Sequence, residues 1–472
     1  MCGIIGMINQ SKPASPDTYL GLMAMQHRGK EGAGICTSID NKLRIEKGVG
    51  ELPQAFWRYQ SYPPLSINLI LPGTSAIGQV RYSTTGTRDE ENLQPMIGTF
   101  RNQEFAIVHN GNLVNTKRLA EQTKSGYRAS DTRVIADLIS QSKESDFETA
   151  VVETIKILEG SFNLIFLFDD KLIVVKDRFG FHPMQIGQRE SDYIVASESC
   201  ALDLVGVRSL KRDVLPGEIA VISKDGISIN QWCDKIFFKF DIFEYIYFLR
   251  PDSIIHGVEA GQSRYWMGYA AAEKCNFEAD IVVPISDSGN EAALGFFESM
   301  QKINPKIKFR PYALFRPHIV SRTFIEPIHE KRIKALNFKF NPRPEQLAGK
   351  NIILLDDSIV RDHTAKTTIK LCRQAGAKKV FFVSVSPMYS YPDFYGIDTY
   401  REKNEIVARR LNNDLELIRQ ENGADGLFYN NIESVIEAII KSAKTPIFLP
   451  SNFYTGPFTG EYPAGTGDFV IY

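Results

Sequence analysis

The stretch Asn351–Thr367, NIILLDDSIVRDHTAKT, decides how the C-terminal half of the chain is read. A run of apolar β-formers, Ile352 to Leu355, ends in two adjacent carboxylates, Asp356 and Asp357. A short polar turn follows, and a helical pattern then carries on to Ala375 and Gly376. Strand, acidic pair, polar loop and helix is the layout of a site at the carboxyl end of a parallel sheet. There the loop amides and the helix N-terminus can hold a phosphate, and the acids can hold sugar hydroxyls. A strand that ends in a solvated turn has the same local composition, so the rest of the chain must discriminate.

From Ala270 onward, helix-like stretches alternate with short apolar strands, Ile281 to Ile285, Ile352 to Leu355 and Val380 to Ser384. That alternation predicts an α/β domain with a mainly parallel sheet. Ser286-Asp287-Ser288-Gly289-Asn290 leads from the first of these strands into an Ala-bearing helix. It is a second turn rich in anion-friendly residues, suited to pyrophosphate, although a plain helix cap has the same composition. Arg264, Arg322 and Lys339 add cations around these turns.

The chain has 472 residues, too long for one ordinary core, so two domains are expected. Hydrophobic residues make up 43% and charged residues 24%, as in an ordinary globular protein. Lys plus Arg (55) nearly balance Asp plus Glu (56), which gives no reason to expect a nucleic-acid or anionic-membrane surface. No apolar run approaches the ~20 residues of a membrane span. The start, MCGIIGMINQ, lacks the basic region and long apolar core of a signal peptide. Cys2, Cys36, Cys200, Cys233, Cys275 and Cys372 are widely spread with no C-x-x-C pair, which fits a reducing cytoplasm.

Cys2 directly follows the initiator Met. A small second residue permits removal of Met1, which would leave Cys2 with a free α-amino group of pKa near ~7.7–8.0, able to take the thiol proton. Nucleophile and base then belong to one residue. Downstream come Gln26-His27-Arg28-Gly29, Gly32-Ala33-Gly34-Ile35, Val80-Arg81-Tyr82-Ser83-Thr84, His109-Asn110-Gly111-Asn112-Leu113 and Ser130-Asp131-Thr132. Arginine suits an α-carboxylate and aspartate an α-ammonium, the two ends of an amino acid. An Asn-Gly turn can offer a side-chain amide and a backbone N–H to a tetrahedral oxyanion.

This ordered set resembles the class II glutamine amidotransferase domain, an N-terminal-nucleophile glutaminase, over residues 2 to about 230, including Lys176-Asp177-Arg178-Phe179-Gly180 and Val195-Ala196-Ser197-Glu198-Ser199. The resemblance implies an α+β αββα sandwich. It makes Cys2 the nucleophile, Asn110 and Gly111 the oxyanion hole, Arg81 and Asp131 the glutamine-binding pair, and Arg28 a supporting residue. Two positions depart from the family pattern. Gln79 stands where His is usual and cannot titrate near neutral pH, and Arg133 stands where Glu is usual, reversing a charge close to Asp131. Neither touches the nucleophile or the oxyanion hole, so glutamine hydrolysis is expected.

Gly217 to Ile222 reads as the closing strand of this domain, and Ser223 to Lys239 as a connector. Phe243 to Phe248 with Arg250-Pro251-Asp252-Ser253 then resembles the start of the second domain of amidophosphoribosyltransferases. That gives expected boundaries of 2–232 for the glutaminase, 240–450 for a type I phosphoribosyltransferase domain, and 451–472 for a tail. One branch of the family carries an iron–sulfur cluster on four cysteines. The matching positions here are Asp241, Asp393, Tyr454 and Pro457, none a thiolate, so no cluster is expected.

In the second domain the resemblance makes Asp356 and Asp357 ligands of the ribose hydroxyls, with Mg²⁺ bridging ribose and pyrophosphate oxygens and held by Ser288, Asp356 and Asp357. Ser358 to Thr364 would wrap the 5′-phosphate, Ser286, Asp287, Ser288 and Gly289 would face the pyrophosphate, and Arg264, Arg322 and Lys339 would be supporting cations. The family reaction hydrolyses glutamine and delivers ammonia through an internal tunnel to C1 of phosphoribosyl pyrophosphate. It gives 5-phosphoribosylamine at the entry to purine synthesis. The family also implies a homo-oligomer, dimer or tetramer, with small-molecule substrates and no nucleic-acid or membrane partner.

Two loops depart from the pattern. Arg316-Pro317-His318-Ile319-Val320-Ser321 replaces the usual Lys-Asn-Arg-Tyr-Val-Gly, and Asp362-His363-Thr364 replaces Gly-Thr-Thr. A carboxylate ~4 Å from one phosphate charge costs on the order of 4 kcal/mol at an effective dielectric of about 20, and about 1 if it points into water. Asp tolerates a left-handed backbone better than most residues, so the loop could keep its shape. These departures leave two alternatives open: a specialised paralogue with another phosphoribosyl donor or acceptor, and a regulatory protein that has lost the transfer chemistry.

Overall fold

A computed structural model of the protein describes residues 1–57, 67–82, 90–125, 130–317, 340–444 and 448–469. The chain divides into two units. The first is Met1–Asp241 with Asp393–Asp398 and Tyr462–Tyr472, and the second is Ile242–Pro392 with Thr399–Glu461.

Side chains along the first strand, Gly3–Ile8, alternate between two apolar layers, as a period of two requires. Ile4 and Ile8 join Val108, Ile165 and Val174, whereas Ile5 and Met7 join Leu22 and Leu202. On Gln103–Leu113, Ala106 and Val108 enter the shared layer, while Phe105 and Ile107 meet Ile135 and Val151. A seven-stranded and a six-stranded antiparallel sheet therefore stack face to face. Helices Ser15–Ala24 and Ser199–Leu204 cover one outer face. Helices Thr116–Thr123, Asp131–Ser140 and Phe147–Lys156 cover the other. This is the αββα sandwich. Both faces of each sheet are buried, which is why a strand such as Gly160–Phe168 reads as a nearly unbroken apolar run.

The connector expected from Ser223 to Lys239 is in part another strand. Glu218–Ser223 turns through Lys224 and Asp225 into Gly226–Gln231, with Ser223 opposite Gly226. This edge strand is largely exposed, and its two alternating isoleucines, Ile227 and Ile229, are too few to set it apart from a polar connector.

Two segments late in the sequence also belong to the first unit. Phe394 O accepts from Asn112 Nδ2 at 2.8 Å, and Tyr395 O accepts from His182 Nε2 at 2.8 Å and from Ser161 Oγ. The Asp393 carboxylate takes the amides of Tyr395, Gly396 and Ile397 at 2.8–2.9 Å, so this carboxylate closes a backbone turn. Asp468 accepts from the Lys117 amide at 2.7 Å.

The second unit is built on a parallel sheet of five strands in the order Lys308–Phe309, Ile281–Pro284, Asn351–Asp356, Lys379–Ser384, Gly426–Tyr429. Ile281–Pro284 comes first in the chain, its successor lies on one side of it, and Asn351–Asp356 lies on the other. The strand order therefore reverses between these two central strands, which is where open α/β sheets leave a ligand crevice beyond the carboxyl ends. Beneath that crevice the core is plainly apolar, with Val283, Leu354, Phe382 and Leu427 packed together with Ile369 and Ile418.

Candidate functional site

The first cluster gathers around Cys2, which is 8% exposed. Its Sγ lies 3.3 Å from Tyr82 O and accepts from the Tyr82 amide at 3.4 Å. Its carbonyl is held by Arg28 Nε at 2.9 Å, and its N donates to Asn110 Oδ1 at 3.0 Å. Burial pushes the thiol up, while the chain-terminal ammonium, the Tyr82 amide and Arg81 pull it back. A thiol of this kind waits for a base rather than standing ionised, and the α-amine that Met1 removal would expose is such a base.

Asn110 is fixed through one side of its amide only. Oδ1 is taken by Cys2, whereas Nδ2 is buried with no hydrogen-bond partner among the described residues. Gly111 follows with φ +147°, and a Cβ there would stand 2.3 Å from Ser161 O, so no other residue fits. An unsatisfied amide N–H₂ beside a thiol is what a developing oxyanion needs.

Asp131 opens the helix Asp131–Ser140 and is buried beside His109, whose Nδ1 lies 3.5 Å from Oδ2. Burial alone would push this carboxyl up, but His109 and the amides of Thr132 and Leu113 outweigh it and hold the group below the usual carboxylate range. A depressed carboxyl keeps its charge at and above the ordinary range and loses it only as pH falls through its lowered folded value. Glutamine affinity, measured by calorimetry on the Cys2→Ala protein, is therefore expected to change less than about twofold between pH 7.5 and 5.5. A tenfold loss by pH 5.5 would show that this carboxylate is not held below the usual range.

The two departures in this unit are harmless in the structure, for different reasons. Gln79 is fully buried and donates from Nε2 to Gln94 Oε1 at 2.9 Å and to His109 O at 2.7 Å, so it pins the strand that carries Asn110 without needing to titrate. Arg133 turns outward, donating to Ile97 O at 3.0 Å with Asp137 3.9 Å away. Its charge is thus directed along the helix surface. Glu198 has no role in the sequence reading, yet it is fully buried, accepts from Arg28 Nη1 at 2.7 Å and meets His27 Nε2 at 2.7 Å. A lone carboxylate two residues after the apolar run Ile194-Val195-Ala196 is the signal that could have found it.

The second cluster lies at the reversal point of the parallel sheet. Pro284 sits opposite Leu355, and Ile285 N donates to Leu355 O at 2.8 Å, so the turns that follow the two strands leave side by side. Gly289 lets them approach, since a Cβ there would lie 2.6 Å from Leu355 O. Ser286 Oγ bonds Asn290 Oδ1 at 3.0 Å, and the Ser286–Asp287 peptide is cis. Arg316 donates to Asp287 Oδ2 at 2.5 Å and to Ser286 O at 3.3 Å, so the altered loop still delivers a cation to this turn. Asp356 and Asp357 are 6% and 5% exposed; Asp356 Oδ1 accepts from the Asp357 amide at 2.9 Å, and Asp357 Oδ1 accepts from Ser358 Oγ at 2.5 Å. Thr364 lies in the first turn of the helix His363–Gln374.

Arg264, expected as a supporting cation of this site, is placed elsewhere. It is 2% exposed and donates to the carbonyls of Tyr245 and Leu249, where it brackets the helix Glu244–Phe248. Arg322 and Lys339 lie outside the described residues. Asp362 adopts φ +63°, ψ 0°, the left-handed conformation that Asp accepts, and so the turn keeps its shape. Its side chain points neither at the loop nor into water. It is fully buried, an outcome between the two electrostatic extremes weighed above.

The glutamine amidotransferase domain family matches residues 79–204. Across the whole chain, amidophosphoribosyltransferase 1, chloroplastic, of Arabidopsis thaliana is 36% identical over 484 aligned positions, covering 99% of this chain and 81% of that protein. Amidophosphoribosyltransferase of Staphylococcus aureus (strain MRSA252) is 36% identical over 475 positions, covering 99% and 92%. Among solved structures, glutamine phosphoribosylpyrophosphate amidotransferase from B. subtilis, complexed with ADP and GMP, superposes with a TM-score of 0.87 at 34% identity, covering 100% of this chain and 99% of that one. Likeness of this extent, in sequence and in fold, means that the chain belongs to the amidophosphoribosyltransferase family.

Proposed function

We propose that the residues above divide the family reaction, with glutamine hydrolysed in the first unit and phosphoribosyl pyrophosphate bound in the second. Asp131 takes the glutamine ammonium and Arg81 its carboxylate. The Cys2 thiol, deprotonated by its own α-amine once Met1 is removed, attacks the side-chain carbonyl, and Asn110 Nδ2 with the Gly111 amide receives the oxyanion. The amine returns its proton to the departing ammonia, and water then releases glutamate from the thioester. The observation that carries this reading is the split role of Asn110, one amide atom holding Cys2 and the other buried beside it with no partner among the described residues.

In the second unit, Asp356 and Asp357 hold the ribose hydroxyls, Ser286 to Gly289 face the pyrophosphate, and the amides from Ser358 to Thr364 take the 5′-phosphate. Mg²⁺ fits the site, because Asp356 and Asp357 present hard oxygen donors and this ion binds through one or two carboxylates plus substrate phosphates. When bound, it neutralises the leaving pyrophosphate. The inward turn of Asp362 removes the main reason to invoke a different sugar phosphate. No helix among the described residues is long and apolar enough to cross a membrane.

The test is to supply purified protein with glutamine, Mg²⁺ and phosphoribosyl pyrophosphate and to follow glutamate and pyrophosphate together. Coupled release of both is expected. Glutamate release that ignores the sugar substrate would overturn the transfer reading while leaving the glutaminase.

A further inference from the structure

Asp362 stands at the head of the helix His363–Gln374, yet its carboxylate does not cap that helix. It turns inward among residues from four elements. Lys366, one helical turn on, brings Nζ to 3.7 Å. Glu421 and Asn422 approach from the helix Leu415–Asn422, Arg410 from Val407–Arg410, and Tyr429 from the strand Gly426–Tyr429. Among the described residues neither carboxylate oxygen meets strict hydrogen-bond geometry, although the Asn422 amide lies close enough to favour the charged form. The Tyr429 hydroxyl, also buried, lies within electrostatic reach of the carboxylate.

The cations are largely spoken for. Glu421 Oε1 binds Lys366 Nζ at 2.5 Å and Arg410 Nη2 at 2.5 Å, and its second oxygen takes Arg410 Nη1 at 2.8 Å. Two cations therefore face one ionised Glu421 and Asp362. With Asp362 ionised the group is neutral overall, and with Asp362 protonated it carries one net positive charge. Taking a carboxylate out of water disfavours its charged form, and Lys366 Nζ at 3.7 Å offsets that only in part. Burial, the first cause, pushes Asp362 up to about 7.

We propose that Asp362 is a positioning residue that makes the neighbouring turn take up the sugar 5′-phosphate together with one proton from solvent, which ends on the Asp362 carboxylate. This rests on the reading above that the amides from Ser358 to Thr364 hold that phosphate. A phosphate dianion on the loop disfavours a second negative charge behind it and favours the state in which the buried group is positive. Substrate affinity then falls with rising pH through the range where free Asp362 ionises. A glycine in this position, as the family pattern has it, cannot couple the two events.

The test uses the full chain, Mg²⁺ and phosphoribosyl pyrophosphate without glutamine, titrated by calorimetry in buffers of different ionisation enthalpy. The wild-type protein is expected to take up about half a proton per substrate at pH 7 and to lose roughly five- to tenfold in affinity between pH 7 and 8.5. Asp362→Gly, which suits the left-handed backbone, and Asp362→Asn, which keeps the shape without the charge, are expected to bind with no such uptake and less than about a twofold change. Equal uptake and equal slopes in wild type and Asp362→Gly would overturn the coupling while the phosphate site stood. Absence of binding by every form at pH 6.5 would overturn the phosphate-site reading and the coupling with it.

Discussion

Replacing Asn110 with alanine is expected to slow glutamine hydrolysis by about 100- to 1,000-fold, or ~2.7–4 kcal/mol, the usual loss for one oxyanion donor. Nδ2 is buried with no partner among the described residues, so the donor is already oriented and desolvated before the reaction needs it. Alanine also frees the Cys2 nitrogen from its 3.0 Å bond to Oδ1. Asn110→Asp separates the two effects: it keeps an acceptor for the Cys2 nitrogen but places a carboxylate where negative charge develops, and should be at least as slow. Transfer from added ammonia should survive both changes, because it bypasses the first unit's chemistry. Glutaminase activity within about threefold of wild type in Asn110→Ala would mean that the oxyanion is held elsewhere.

The second large effect concerns stability. Glu198 and Arg28 form an ion pair at 2.7 Å with both side chains 0% exposed, and His27 shares the carboxylate. Glu198→Ala removes the carboxylate that neutralises a buried guanidinium and should cost about 3–5 kcal/mol, visible as a lowered denaturant midpoint with an unchanged slope. Glu198→Gln keeps an acceptor and should cost less. The same arginine holds Cys2 O, so glutaminase activity should fall along with stability. A loss below about 1 kcal/mol in Glu198→Ala would show that Arg28 finds another partner or water.

The parts of the candidate site could be picked out in the sequence because each is local. Cys2, Asn110-Gly111, Asp131 and Asp356-Asp357 each sit in a short run whose residue types state their chemistry, and the fold brings those runs to strand ends and helix starts. What escaped was direction and distance. Gln79 and Arg133 look alike as polar replacements, yet one is sealed in a buried chain of amides and the other lies along a helix surface. Asp362 could be weighed only against a phosphate or water, because the third possibility requires Glu421 and Tyr429, far along the chain, to be its neighbours. Arg264 looked like a substrate cation because sequence does not show that backbone carbonyls claim its donors. The strand Gly226–Gln231 was missed because only Ile227 and Ile229 alternate with polar residues in it, although the Asp225-Gly226 pair at its start is a hairpin signal.

The short segment Asp393–Asp398, which follows most of the second unit in the chain but belongs to the first, has a consequence for modularity. Its carbonyls satisfy Asn112, Ser161 and His182, all buried in the glutaminase sandwich. A polypeptide ending at Asp241 would leave those three polar side chains without these partners. The glutaminase is therefore not a cassette that can be lifted out, transplanted or replaced at a single splice point. Any exchange of catalytic halves between relatives must carry three separate pieces of chain, and recombination at the evident domain joint would break the first half to preserve the second.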